Sequence, residues 1–239
     1  MIRIRQVALV ANDLSRAVGE IRRALDLGDP FHDPGVELFG LHNAVLPIGD
    51  TFLEVVSPLR DDCSGARYLQ RRGGDGGYMV IVQTDDLPAA RQRIETTHTR
   101  VVFELALEDI ATVHLHPRDT RGTLLSIDAA TSPAEWRWAG PDWRARSCTT
   151  RCAAIVGVEI QCDDPADVAM RWSQLLASPA ISLASGSHEI ALDGSIVRFV
   201  PLRDSRGEGI HTVMLRRSTA AAQETRGEIE LCGTLFRFL

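Results

Sequence analysis

Three stretches of the chain share one pattern of apolar and polar positions. QVALVANDLSRAVGEI from Gln6, MVIVQTDDLPAARQRI from Met79 and GVEIQCDDPADVAMRW from Gly157 each read as an apolar strand, an acidic pair and a helix. The pairs Asn12-Asp13, Asp85-Asp86 and Asp163-Asp164 supply side chains that accept the free N–H groups of a first helical turn. In the first helix Leu14, Ala17, Val18, Ile21 and Leu25 form one stripe, and in the third Val168, Trp172, Leu175 and Leu176 do the same. Leu14, Leu87 and Pro165 recur at intervals of roughly 75 residues, a spacing that marks a duplicated supersecondary unit and not a solenoid.

Further strands are expected after each helix. The first repeat offers about 35–40, 41–48 and 51–57, and the second 101–107, 112–116 and 123–128. The third offers HEIAL, SIVRFVP and IHTVMLRR, and PRDTRG in the second repeat is echoed by PLRDSRG in the third. The expected fold is α+β with repeated β-α-β-β-β units. Two pair into a curved, eight-stranded, barrel-like sheet with helices outside, and a third, degenerate unit follows. The tail EIELCGTLFRFL reads as a hairpin or a fragment of a fourth unit. One helix covers one face of four strands, so the other face must pack on a second unit or enclose a cleft. The third unit closes either on the tail or on its copy in a second subunit, and the latter predicts a homodimer.

Composition narrows the function classes. The 239 residues are 44% hydrophobic and 24% charged, as in a soluble globular protein. A net charge of −6 gives no basic face for nucleic acid, and every one of the 26 basic residues is arginine. Neither a signal peptide nor a membrane span is expected. Five cysteines, an odd number, fit reduced thiols and a cytoplasmic setting, and CTTRC alone is a poor zinc signal. The glycines of RRGGDGGY follow a helix and precede a strand, the wrong polarity for a phosphate loop, so they read as a link. EWRWAGPDWRAR reads as an aromatic anchor for a linker, with a lid over a cleft as the alternative.

The motifs RQVALVANDL, GYMVIVQTDDL, TFLEVVSP and GTLLSID, set in this repeat, resemble the vicinal oxygen chelate superfamily of glyoxalases, extradiol dioxygenases and bleomycin-resistance proteins. Within it, GLHNAVLPIGDTFLEVVSP is most similar to the glyoxalase-like proteins. The resemblance implies a glyoxalase-like domain over residues 1–130 (repeats at about 2–60 and 76–130), a Trp-rich linker over 131–152 and the third unit over 153–239. It also implies a ligand on the first strand and a carboxylate on the fourth strand of each repeat, surrounding one divalent metal. Gln6 and Glu54 match these positions; Met79 and Ser126 stand there in the second repeat, and Gly157 is the first-strand match in the third.

TVHLHPRDTRG adds two histidines. A hairpin centred on Thr120 puts His114 opposite Ser126, on the same face as His116. The first-repeat counterpart is His42, which a two-residue Gly49-Asp50 turn points away from Glu54 and a three-residue loop points toward it. Two readings stand. One is a rearranged zinc, iron, nickel or manganese site of Gln6, Glu54, His114 and His116 or His42. Glu54 is then ligand or base, and the enzyme is a lyase, isomerase or dioxygenase acting on adjacent oxygens. The other is a metal-free cleft that binds or sequesters a small molecule. Met79, Ser126 and Arg118 are the expected substrate contacts, and a weaker third option is a subunit whose role is assembly.

Overall fold

The computed structural model describes residues 1–219 and 227–239. The strands are β1 (Ile2–Val10), β2 (Leu41–Ile48), β3 (Thr51–Pro58), β4 (Gly76–Thr84), β5 (Val101–Ala106), β6 (Ile110–Leu115), β7 (Leu124–Ala130), β8 (Cys152–Cys162), β9 (Ala180–Ser182), β10 (His188–Leu192), β11 (Ser195–Pro201), β12 (Gly209–Arg217), β13 (Glu228–Leu231) and β14 (Thr234–Phe238). The α-helices are α1 (Leu14–Leu25), α2 (Ser64–Arg72), α3 (Leu87–Thr96), α4 (Pro117–Thr120), α5 (Trp143–Arg146) and α6 (Pro165–Leu176). Two seven-stranded mixed sheets run in the orders β2-β3-β1-β4-β7-β6-β5 and β13-β14-β12-β8-β11-β10-β9. The class is α+β with repeated β-α-β-β-β units, as the pattern predicts; the sheets are open and have seven strands, not eight.

The missing strand has a local cause. The strand expected at about 35–40 is instead a 3-10 helix over Pro34–Phe39, whose N-cap Asp33 accepts from the Gly35 N–H, with Pro34 in its first turn. An Asp-Pro pair is a helix start, and it overrides the short apolar run behind it. The three repeat helices are capped as expected: Asp13, Asp86 and Asp164 accept from the N–H groups of Arg16, Ala89 and Asp167. Leu14, Ala17, Val18, Ile21 and Leu25 are the buried stripe of α1.

A parallel pairing of first with last strand defines each repeat: β1 with β3, β4 with β7 and β8 with β11. β12 pairs with β14 in the same parallel way. IHTVMLRR is therefore not the last strand of the third repeat; SIVRFVP holds that place, and β12 opens a shorter fourth repeat closed by the β13–β14 hairpin. PLRDSRG accordingly follows a last strand, whereas PRDTRG precedes one and forms α4, so the two turns are not equivalent.

The chain divides into two compact units, each discontinuous in sequence. One contains Met1–Arg5, Met79–Arg137 and Val156–His211; the other contains Gln6–Tyr78, Trp138–Ile155 and Thr212–Leu239. In the first, Trp172 is fully buried, packs edge-on against Phe199 and donates its indole N–H to the Thr120 carbonyl at 2.7 Å. In the second, Trp143 is buried edge-on against Phe52, with ring centroids 5.1 Å apart. Trp136 and Trp143 are both buried, which fits an anchored linker. Among the described residues no helix is long and apolar enough to cross a membrane.

Candidate active site

Strand register in the unit containing Gln6–Tyr78 gathers three polar side chains on one face. β1 sets Ala8 beside Glu54, so Gln6, two residues earlier, faces the same way. β2 sets Val45 beside Glu54, so Asn43 does too. Val10, Phe52 and Val56 lie on the same face and are buried, which gives the trio apolar walls. Glu54 itself is only 6% exposed.

Its carboxylate is held at both oxygens. The Asn43 amide donates to Oε1 at 2.6 Å and the Gln6 amide donates to Oε2 at 2.8 Å. Asn43 is locked in turn: its Oδ1 accepts from the Asp33 N–H at 2.8 Å, and its carbonyl oxygen meets His32 Nδ1. Burial pushes the Glu54 pKa above its ordinary value, the two amide bonds oppose that shift, and the negative charge of Asp33 adds to it. Tyr78 lies in the same unit with its hydroxyl 3.0 Å from Ser64 Oγ. Burial raises its pKa, Ser64 lowers it, and Cys63 and Glu54 charges raise it further. A carboxylate whose pKa is raised by burial among apolar walls is a stronger base than an exposed one, suited to taking and returning a proton.

His42 does not join this trio. β2 and β3 are joined by a two-residue turn, with Gly49 at φ 62°, which pairs Ile48 with Thr51. That register puts His42 opposite Ser57, on the other face from Glu54, and exposed. Sequence reasoning passed over Asn43, Asp33, His32 and Tyr78. The same two-residue turn that removes His42 places Asn43 on the Glu54 face, so the signal was in the spacing.

The remaining expected residues lie in the other unit. His114 pairs with Ser126 across β6 and β7, the register that a hairpin centred on Thr120 requires. Ser126 and Thr112 share a 2.9 Å hydroxyl contact, and both donate to the buried carboxylate of Asp128, Thr112 at 2.8 Å. Thr112 and Asp128 are a second pair that the sequence reading missed. His114 lies against Phe103, ring centroids 5.1 Å apart, and burial lowers its pKa to about 4. It is therefore neutral at pH 7. His116 is the N-cap of α4, its Nδ1 accepting from the Arg118 N–H at 3.1 Å, a structural task. Arg118 is exposed, and Met79 is buried.

These residues do not fit a divalent metal. Asn43 and Gln6 turn N–H donors, not oxygens, toward Glu54, and both carboxylate oxygens are engaged by them. Asn43 cannot turn over without losing the bond from Asp33. No group of three or more His, Cys, Asp or Glu able to hold a metal occurs among the described residues.

Comparison with known proteins agrees with this repeat and its topology. An ethylmalonyl-CoA/methylmalonyl-CoA epimerase from Cereibacter sphaeroides is 24% identical over 132 residues, spanning 53% of this chain and 96% of that protein. The mitochondrial methylmalonyl-CoA epimerase of Bos taurus is 24% identical over 133 residues, covering 54% of this chain and 74% of that one. The crystal structure of a hypothetical protein from Staphylococcus aureus shares the fold, with a TM-score of 0.74 at 12% identity over 100% of this chain and 99% of that chain. The pattern of the glyoxalase-like domain matches residues 7–176, and the chain belongs to that family, within the vicinal oxygen chelate superfamily.

Proposed function

We propose that the protein is an isomerase-type enzyme that moves a proton at a carbon beside a carbonyl, with Glu54 as the base. The observation that carries this reading is the buried Glu54 carboxylate, held by two amide donors and kept above its ordinary pKa. Glu54 takes the proton from the acidic carbon, the C–H pair forms a carbon–carbon double bond as the carbonyl π pair moves onto oxygen to give an enolate, and the proton returns to carbon as the carbonyl re-forms. Asn43 and Gln6 point the carboxylate, and the apolar walls keep water from competing for the proton. The substrate class is a small acyl compound with adjacent oxygens. Similarity to two epimerases of acyl thioesters over half of the chain supports beginning with 2-substituted malonyl thioesters.

The test is hydrogen exchange at the acidic carbon, followed by proton NMR in deuterated water with methylmalonyl-CoA as the probe. Wild type is expected to wash the label in, and Glu54→Gln to slow exchange by about 10²-fold or more. Unchanged exchange in that variant would overturn the assignment. Tight binding without exchange in wild type would favour the sequestration role instead.

A further inference from the structure

Four strands end the two sheets, and three of them are blunted. β9 has three residues and β13 has four. β2 is longer, but Phe31 exchanges both backbone hydrogen bonds with Val45 along its outer edge. β5 is different. Five of its six residues are exposed, Phe103 being the half-buried one. Val101 and Val102 are 42% and 49% exposed, and Leu105 and the following Leu107 are 37% and 39% exposed. An open apolar strand edge is a template for pairing with another strand, and folded proteins normally blunt it with charge, proline or a covering segment.

We propose that β5 pairs antiparallel with β5 of a second copy of this chain, about a two-fold axis at Leu105. In the segment Phe103-Glu104-Leu105-Ala106-Leu107 the large apolar residues sit symmetrically about Leu105, with the smaller Ala106 mirroring Glu104. Centred on Leu105, Phe103 meets the partner's Leu107, Leu105 meets the partner's Leu105 and Glu104 meets the partner's Ala106. An interface that uses the same patch twice requires this self-complementarity. Centring on Glu104 would set two carboxylates against each other. Centring on Phe103 would bring in Val102, which sits at a break in the β5–β6 register. The one charge in the segment, Glu104, is neutralised within its own chain by Arg91 at 2.5 Å. Phe103 and Leu105 pair with His114 and Thr112, so the partner strand would cover the apolar rim beside His114.

One strand on each side makes a small interface, so the dimer is weak and concentration-dependent. Sedimentation equilibrium of the full chain, from micromolar to several hundred micromolar, is expected to show monomer and dimer. Leu105→Lys puts two like charges on the axis and should weaken association at least tenfold, with the circular dichroism spectrum unchanged because Leu105 is exposed. A second variant guards against misfolding: Leu105→Cys in a Cys148→Ser background should form a disulfide dimer on mild oxidation, whereas Val102→Cys should not. A single monomeric species over the whole range, association unaffected by Leu105→Lys, or no cross-link at Leu105→Cys would each overturn the proposal.

Discussion

At the scale of residues, the buried Glu54 and the half-buried His114 pull in opposite directions with pH. Glu54 has a raised folded pKa, so its contribution to stability is fully present below the ordinary value of 4.5 and is lost as pH rises through the folded value. His114 is lowered from 6.5 to about 4, so its contribution is present above 6.5 and is lost as pH falls toward 4. Replacing His114 with Phe, which retains a ring against Phe103, should flatten the loss of stability between those two values in urea melts. Imidazole NMR should show the wild-type ring neutral down to about pH 4; a midpoint near 6.5 would contradict its burial. Asn43→Ala should push the Glu54 pKa higher still, because it removes a donor that favours the charged form, and should cost about 1–3 kcal/mol at neutral pH. Carbon-13 NMR of the Glu54 carboxyl reads the first effect and chemical denaturation the second. A Glu54 titration that Asn43→Ala leaves unmoved would remove Asn43 from the site.

Elements were more legible than the contacts between them. The acidic caps, the α1 stripe and the His114–Ser126 register follow from local rules: an oxygen three residues ahead of a free N–H, a period of 3.6, and the fixed sum of an antiparallel hairpin. The reading failed where a local signal was outvoted. Asp33-Pro34 turned an expected strand into a 3-10 helix, and IHTVMLRR could not reveal by itself that its neighbour would be the parallel β14. Of the candidate site, Gln6 and Glu54 were visible through the family resemblance, whose ligand positions they match, and the structure bonds them to each other; Asp33 was not visible, because it enters through its backbone N–H. α5 supplies the test at this scale. Trp143 lies on Phe52, which shares a face with Glu54, and Arg144 stacks on the indole at 4.4 Å. Trp143→Ala should cost about 3–5 kcal/mol as a cavity opens. A melting temperature unchanged by the substitution would show that the indole is not part of the packed interior.

At the scale of the whole molecule, the donor chemistry around Glu54 predicts indifference to chelators. Protein purified without chelator and then dialysed against EDTA should keep its melting temperature and any exchange activity. Near-stoichiometric metal, lost in both Glu54→Ala and His114→Ala, would overturn this and restore a chelate site. A different consequence follows from how the two compact units are threaded. The unit that carries Glu54 is assembled from Gln6–Tyr78, Trp138–Ile155 and Thr212–Leu239. Residues 147–155 grip the first repeat beside its β2–β3 turn: Ser147 donates to the Gly49 carbonyl at 2.9 Å, and the Ile155 N–H in β8 donates to Thr51 Oγ1 at 2.8 Å. Cys232 Sγ lies 3.7 Å from the Val10 carbonyl, a contact between residues 222 positions apart. On a ribosome, then, the Glu54 carboxylate is made well before the last segment of its compact unit, Thr212–Leu239. The nascent first repeat therefore keeps apolar surface uncovered until residues 212–239 have emerged, and such transiently open surface is where aggregation starts.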